Sequence, residues 1–232
     1  MAMTESMLTD VGPIRGGYQQ VIATAYLDLG ATLFSQKEVD ALVGPSASIP
    51  IQPFLSRQTK WRTCLIFDER DEHVAYQRSK IIDQRVMVVR GDVHDALGAL
   101  PTAEIVVNPF GYQEFPDRQE SYLKVIAGAL SERNGLYVTL DWGPTRYADK
   151  YAAIPGIADD IAFSTRHSVP DHDEPFHKVY SHEYLFAMTH TVDEVREMVP
   201  SEAQDTLNRA AGTASSIAVG SSLRVRAYEL RP

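Results

Sequence analysis

A chain of 232 residues with 44% hydrophobic residues carries enough apolar material for one large core. Its formal net charge of -9, with no block of basic residues, argues against a protein that grips nucleic acid through phosphates and leaves small molecules or proteins as the easier partners. A single cysteine, Cys64, excludes an internal disulfide and a multi-cysteine zinc site, and points to a reducing, cytoplasmic compartment. No apolar stretch is long enough for a membrane-spanning helix.

Residues 1–17 read as an N-terminal arm, with 18–232 as a single domain. "YQQVIATAYLDLG" is an apolar segment that stops at Asp28-Leu29-Gly30 and is expected to be the first strand. In "SQKEVDALVG", Ser35 and Glu38 have capping-box spacing and Gly44 supplies a stop, so a short helix is expected there. The Ser- and Pro-rich stretch that follows, through residue 61, reads as a loop. "RTCLIFDE", "RVMVVRGDV", "AEIVVNPFG" and "GLYVTLDWGP" are compact apolar runs, and helical patterns at "DEHVAYQRSKII" and "RQESYLKVIAGALSERNG" lie between them. Short apolar strands alternating with helices predict a parallel sheet covered on both faces.

The second half is less regular. "YADKYAAIPGIADDIAF" reads as helical, "STRHSVPDHDEPFHKVYSH" as a polar loop, and "EYLFAM" as a strand. "TVDEVREMV" and "SEAQDTLNRAAG" read as helices, and "SSLRVRAYELRP" alternates like a final antiparallel edge strand with one solvated side. The expected architecture is a single α/β domain of about seven strands, mostly parallel, with an antiparallel edge strand.

In open α/β sheets, ligands bind beyond the carboxyl ends of the strands, where the order reverses. The residues expected there are Asp28/Gly30, Asp68/Glu69, Gly91/Asp92, Asn108/Pro109 and Asp141. With these residues the chain resembles the class I S-adenosylmethionine-dependent methyltransferases, which implies a Rossmann-like methyltransferase fold over roughly residues 20–230. The resemblance puts "YLDLGAT", with Asp28 and Gly30, beneath the cofactor's amino-acid part; of the family's two or three glycines only Gly30 is present. It implies that Asp68, or Glu69 beside it, takes the ribose hydroxyls, and that Asp92 and Val93 of "VVRGDV" face the adenine. It places Asn108, Pro109 and Phe110 of "VVNPFG" beside the transferred methyl group. "NPFG" also partly resembles the Asn-Pro-Pro-aromatic motif of amino-group methyltransferases, although an Asn-Pro turn alone would give the same residues.

The function implied is methyl transfer from S-adenosylmethionine to an unidentified acceptor, small molecule or protein. Methyl transfer from a sulfonium rests mainly on positioning, so the lack of a visible catalytic triad is compatible with it. A methyltransferase-like chain that binds a partner without catalysis is the alternative, because Thr32 and Phe34 stand where glycines are expected. A dinucleotide-dependent enzyme is disfavoured, since no Gly-x-Gly-x-x-Gly follows the first expected strand. His167, His172, His177 and His182 recur every five residues, a spacing that fits neither one helix face nor one strand face, so no metal site is assigned. Tyr180 and Tyr184 could line an acceptor pocket, and Cys64 reads as a small core residue.

Overall fold

The computed structural model describes residues 21, 22, 24, 25, 28, 29, 38–44, 61–81, 83–109, 119–130, 135–166 and 175–231. Four strands of the first half, β1 (Val39–Val43), β2 (Trp61–Asp68), β3 (Val86–Arg90) and β4 (Ile105–Pro109), are followed by β5 (Leu136–Trp142). Helices α1 (Asp71–Lys80), α2 (Val93–Ala99) and α3 (Gln119–Leu130) connect β2 to β3, β3 to β4 and β4 to β5. The runs are short, Val/Ile-rich and apolar on both sides, as central parallel strands must be when helices cover both faces. Then come β6 (Arg146–Tyr147), α4 (Asp149–Ala152), α5 (Ile157–Arg166), β7 (Phe176–Thr191), α6 (Val192–Met198), a 3-10 turn (Ser201–Ala203), α7 (Gln204–Ala211) and β8 (Ser216–Leu230).

The eight strands among the described residues form one sheet. Its order runs β3-β2-β1-β4-β5-β8, with β7 along the outer side of β8. Pairings from β3 through β5 are parallel; β8 is antiparallel to β5, β6 and β7. The order reverses between β1 and β4, where the chain has gone out to β3 and returns on the other side.

Two expectations are corrected at the N-terminal end. The described residues at 21, 22, 24, 25, 28 and 29 are helical, not a strand, and the run expected to be a helix contains β1. Ile22, Ala25 and Leu29 are buried at three- and four-residue intervals, the signature of one helix face packed on a sheet. The propensity of Val39 and Val43, together with burial of the whole of β1, outweighs the capping-box spacing of Ser35 and Glu38. Asp40 breaks the apolar run without leaving the strand. Its carboxylate lies 2.9 Å from Arg62 Nη1, and its N–H donates to Glu104 Oε2 at 2.6 Å, all at the N-terminal edge of the sheet.

Two further corrections concern the last strands. Residues 176–182, expected in a polar loop, are part of the 16-residue β7. β8, expected at an edge with one solvated side, is an interior strand between β5 and β7, and β7 takes the edge. The reason is Arg226. A polar residue in an alternating strand can lie in the core when its charge is matched, and Arg226, 3% exposed, donates to Asp141 Oδ2 at 2.9 Å.

Three apolar clusters hold the molecule. On one face, Ala41, Ile66, Val107, Leu140 and Val225 pack under Ile22, Ala25 and Leu29. On the other, Leu42, Phe67, Val106, Tyr137 and Tyr228 pack against Val93 and Ala96 of α2 and Ile126 and Leu130 of α3. The third lies beyond the parallel sheet. β8 last pairs with β5 at Leu223, and residues 216–222 continue past it with β7 alongside and β6 opposite. These seven residues, at about 3.4 Å each, extend the hairpin roughly 24 Å. Tyr151, Ile157, Val192, Val195, Leu207, Ile217 and Val219 gather there, joining α4, α5, α6 and α7 into a helical cap.

Candidate functional site

The carboxyl ends of β1 to β4 converge on the point where the strand order reverses. β1 leaves the sheet at Gly44, whose N–H donates to the carbonyl of Val107 in β4 at 2.9 Å. A Cβ on Gly44 would lie 2.5 Å from the Phe67 ring and 2.7 Å from the Phe67 carbonyl. Only glycine lets the chain turn off the end of β1 this close to β2. Gly44, not Gly30, is therefore the glycine at the exit of the first strand.

Asp68 ends β2. It is 4% exposed, and its Oδ1 accepts from the N–H of Arg70 at 2.9 Å and lies 3.1 Å from His73 Nδ1. The side chain thereby fixes the step from β2 into α1, and Glu69 next to it is exposed. The N–H of Gly91 donates to the Asp68 carbonyl at 3.0 Å, so the exits of β2 and β3 are tied together. Gly91 has φ +150°, and a Cβ there would sit 2.4 Å from the Asp95 carboxylate. That freedom lets Asp92 begin α2. Its Oδ1 accepts from the N–H groups of His94 and Asp95, and Asp95 returns a bond to the N–H of Asp92. This reciprocal cap holds the Asp92 carboxylate at a helix N-terminus, and Val93 beside it is 5% exposed.

Asn108 is at the exit of β4, 2% exposed, with its Nδ2 donating to the Tyr137 hydroxyl at 3.1 Å. Its amide thus points into the sheet face and steadies β4 against β5. Pro109 follows as the last residue of β4, and Phe110 lies outside the described residues. Asp141, near the end of β5, is buried with Arg226; burial pushes its carboxyl above the usual range, and the guanidinium only partly counters this.

Asp28 is corrected as a strand-end acid. It is exposed on the N-terminal helical segment and accepts from the Tyr184 hydroxyl of β7 at 2.8 Å, so it ties that segment to the far strand. Gly30, Thr32 and Phe34 lie outside the described residues, and all precede β1. His167 and His172 also lie outside them. His177 and His182 are on β7, and among the described residues no group of His, Cys, Asp and Glu could hold a metal ion. Tyr180 and Tyr184 pack at the margin of the first cluster, under the N-terminal helical segment. Cys64 is fully buried in β2, and its thiol is pushed up to about 12 by burial. Reading the sequence alone missed Gly44; its signal was the five-residue run Val39–Val43 ending in glycine, masked by Asp40 inside it.

Neither a protein-family model nor a curated protein matches the sequence. Solved structures do. A protein of Anaeromyxobacter dehalogenans assigned as a type II methyltransferase superposes with TM-score 0.58 at 14% identity, over 90% of this chain and 97% of that one. A SAM-dependent methyltransferase of Geobacter sulfurreducens, solved with S-adenosyl-L-homocysteine, superposes with TM-score 0.54 at 11% identity over the whole of both chains.

The chain has the class I methyltransferase fold.

In this methyltransferase fold, β7 and β8 are the antiparallel pair that closes the sheet, and the helical cap is carried on their extension. No helix among the described residues is long and apolar enough to cross a membrane.

Proposed function

We propose that the chain binds S-adenosylmethionine across the exits of β1, β2 and β3 and transfers its methyl group to an acceptor seated at the exit of β4. The observation that carries this reading is Gly44, held without room for a Cβ at the reversal point, with the exits of β2 and β3, which carry Asp68–Glu69 and Asp92, in succession on one side and Asn108 of β4 on the other. Backbone bare of side chain at that point suits the close approach of a ligand. The donor set suits this cofactor: one carboxylate of the Asp68–Glu69 pair accepts both ribose hydroxyls, and Asp92, fixed by its cap, accepts from the adenine amino group beside Val93.

When bound, the cofactor supplies a methyl group on a sulfonium, which leaves as a neutral thioether. The chain's residues then have to orient and exclude water more than to exchange protons. Asn108, anchored on Tyr137, stands with Pro109 at the end of β4, and these two with Phe110, next in sequence, are the residues assigned to border the reacting centre. A base is needed only if the acceptor must lose a proton. The acidic net charge favours a small-molecule acceptor over nucleic acid, with a protein the other class. The reading that the chain is a non-catalytic subunit rested on Thr32 and Phe34, and these residues precede the first strand instead of following it.

Calorimetry with S-adenosylmethionine and S-adenosylhomocysteine tests the reading. Binding in the micromolar range, about -8 kcal/mol, is expected. Asp68→Asn and Glu69→Gln, measured separately, should divide: the variant lacking the ribose carboxylate loses about tenfold or more in affinity, as for a hydrogen bond to a charged group. Absence of binding by either ligand at millimolar concentration would remove the proposal.

A further inference from the structure

Gly44 is gripped from a third side. Tyr122, in the first turn of α3, donates its hydroxyl to the Gly44 carbonyl at 2.7 Å, across 78 residues of sequence. With the N–H of Gly44 held by Val107 and the place of a Cβ taken by Phe67, both backbone polar groups and the side-chain face of this residue meet different elements. Burial raises the pKa of Tyr122, so the hydroxyl stays a donor throughout the working range. α3 is the next helix after β4 among the described residues.

We infer that Tyr122 is a positioning residue for cofactor binding, which sets the exit of β1 from the helix that follows β4. This rests on the reading of the site given above. The hydroxyl is not needed to fill the core, because the ring packs with the second apolar cluster regardless. What it adds is the orientation of the Gly44 peptide, and with it the direction in which the chain leaves β1 toward the ligand. The same bond ties the exit of β1, on the proposed cofactor side, to a helix that lies between β4 and β5 in the chain.

The test is calorimetric titration of S-adenosylhomocysteine into the wild type, Tyr122→Phe and Ile126→Val, with the thermal midpoint of each. Ile126 is fully buried on the same helix and does not touch Gly44 in any hydrogen bond, so its variant reports general loosening of α3. Tyr122→Phe is expected to bind about fivefold more weakly, the effect of one hydrogen bond, while Ile126→Val lowers the midpoint and leaves affinity unchanged. Equal affinity of Tyr122→Phe and wild type would overturn the inference, as would an equal loss in Ile126→Val. A wild type that does not bind at all would instead overturn the reading of the site, and the inference with it.

Discussion

Arg226 and Asp141 are 3% and 1% exposed and meet at 2.9 Å between β8 and β5. Taking one partner from a buried pair leaves a charge without its hydrogen-bonded counter-ion, and for Asp141 only the weaker pull of Arg224 remains among the cations acting on it, so Arg226→Met should cost about 3–5 kcal/mol in urea unfolding. Replacing both, as Arg226→Met with Asp141→Leu, should restore much of the loss. The sign of the pH effect follows from burial, which raises the Asp141 carboxyl pKa above its unfolded value. A raised pKa means the folded state holds a proton that the unfolded state releases, so stability falls as pH climbs through the folded value. With Arg226 gone this effect grows, and the deficit of Arg226→Met should be larger at about pH 7 than at about pH 4. Cys64 offers a second check at this scale: fully buried, with its thiol near 12, it should stay unlabelled by a thiol reagent in the native protein and react once unfolded.

Among the elements, those in the middle of the chain were legible because propensity, periodicity and punctuation agree there. β2 to β5 are apolar runs with flanking turn residues, and α1 and α3 fall within the helical patterns "DEHVAYQRSKII" and "RQESYLKVIAGALSERNG". The elements that escaped are those where a local signal and the tertiary context disagree. Val39–Val43 carries an acid whose charge is met by Arg62, distant in sequence, while its N–H is taken by Glu104. The helical segment that includes Ile22, Ala25 and Leu29 reads as a strand because Ala23, Tyr26 and Leu27 fill the gaps between them and make the run nearly continuously apolar. The site was legible in the same measure: the exits of β2, β3 and β4 stood out, while the Gly44 turn depended on assigning β1. Gly44→Ala should therefore cost about 1–3 kcal/mol through the clash with Phe67, and should weaken cofactor binding as well. Leu207→Ala, in the cap, should cost about 2–5 kcal/mol and leave cofactor binding intact, since its cluster is separate from the strand exits.

For the whole molecule, alternation of strands and helices implied a parallel sheet, but nothing in the local pattern showed that the antiparallel hairpin would outrun it. That extension depends on the length of β7, which pairs with β8 through Thr191, and on helices that bury Ile217 and Val219 at its tip. The result is a sheet that is walled beyond the carboxyl end of β5 by β6, β7 and β8. On the proposed function the cofactor lies across the exits of β1 to β3, against Gly44, Asp68–Glu69 and Gly91–Val93. Hydrogen exchange with and without S-adenosylhomocysteine tests it most directly. Protection is predicted in peptides containing Val43–Gly44, Asp68–Arg70 and Gly91–His94. Protection confined to peptides around Asp28 and Gly30, or none at saturating ligand, would contradict it.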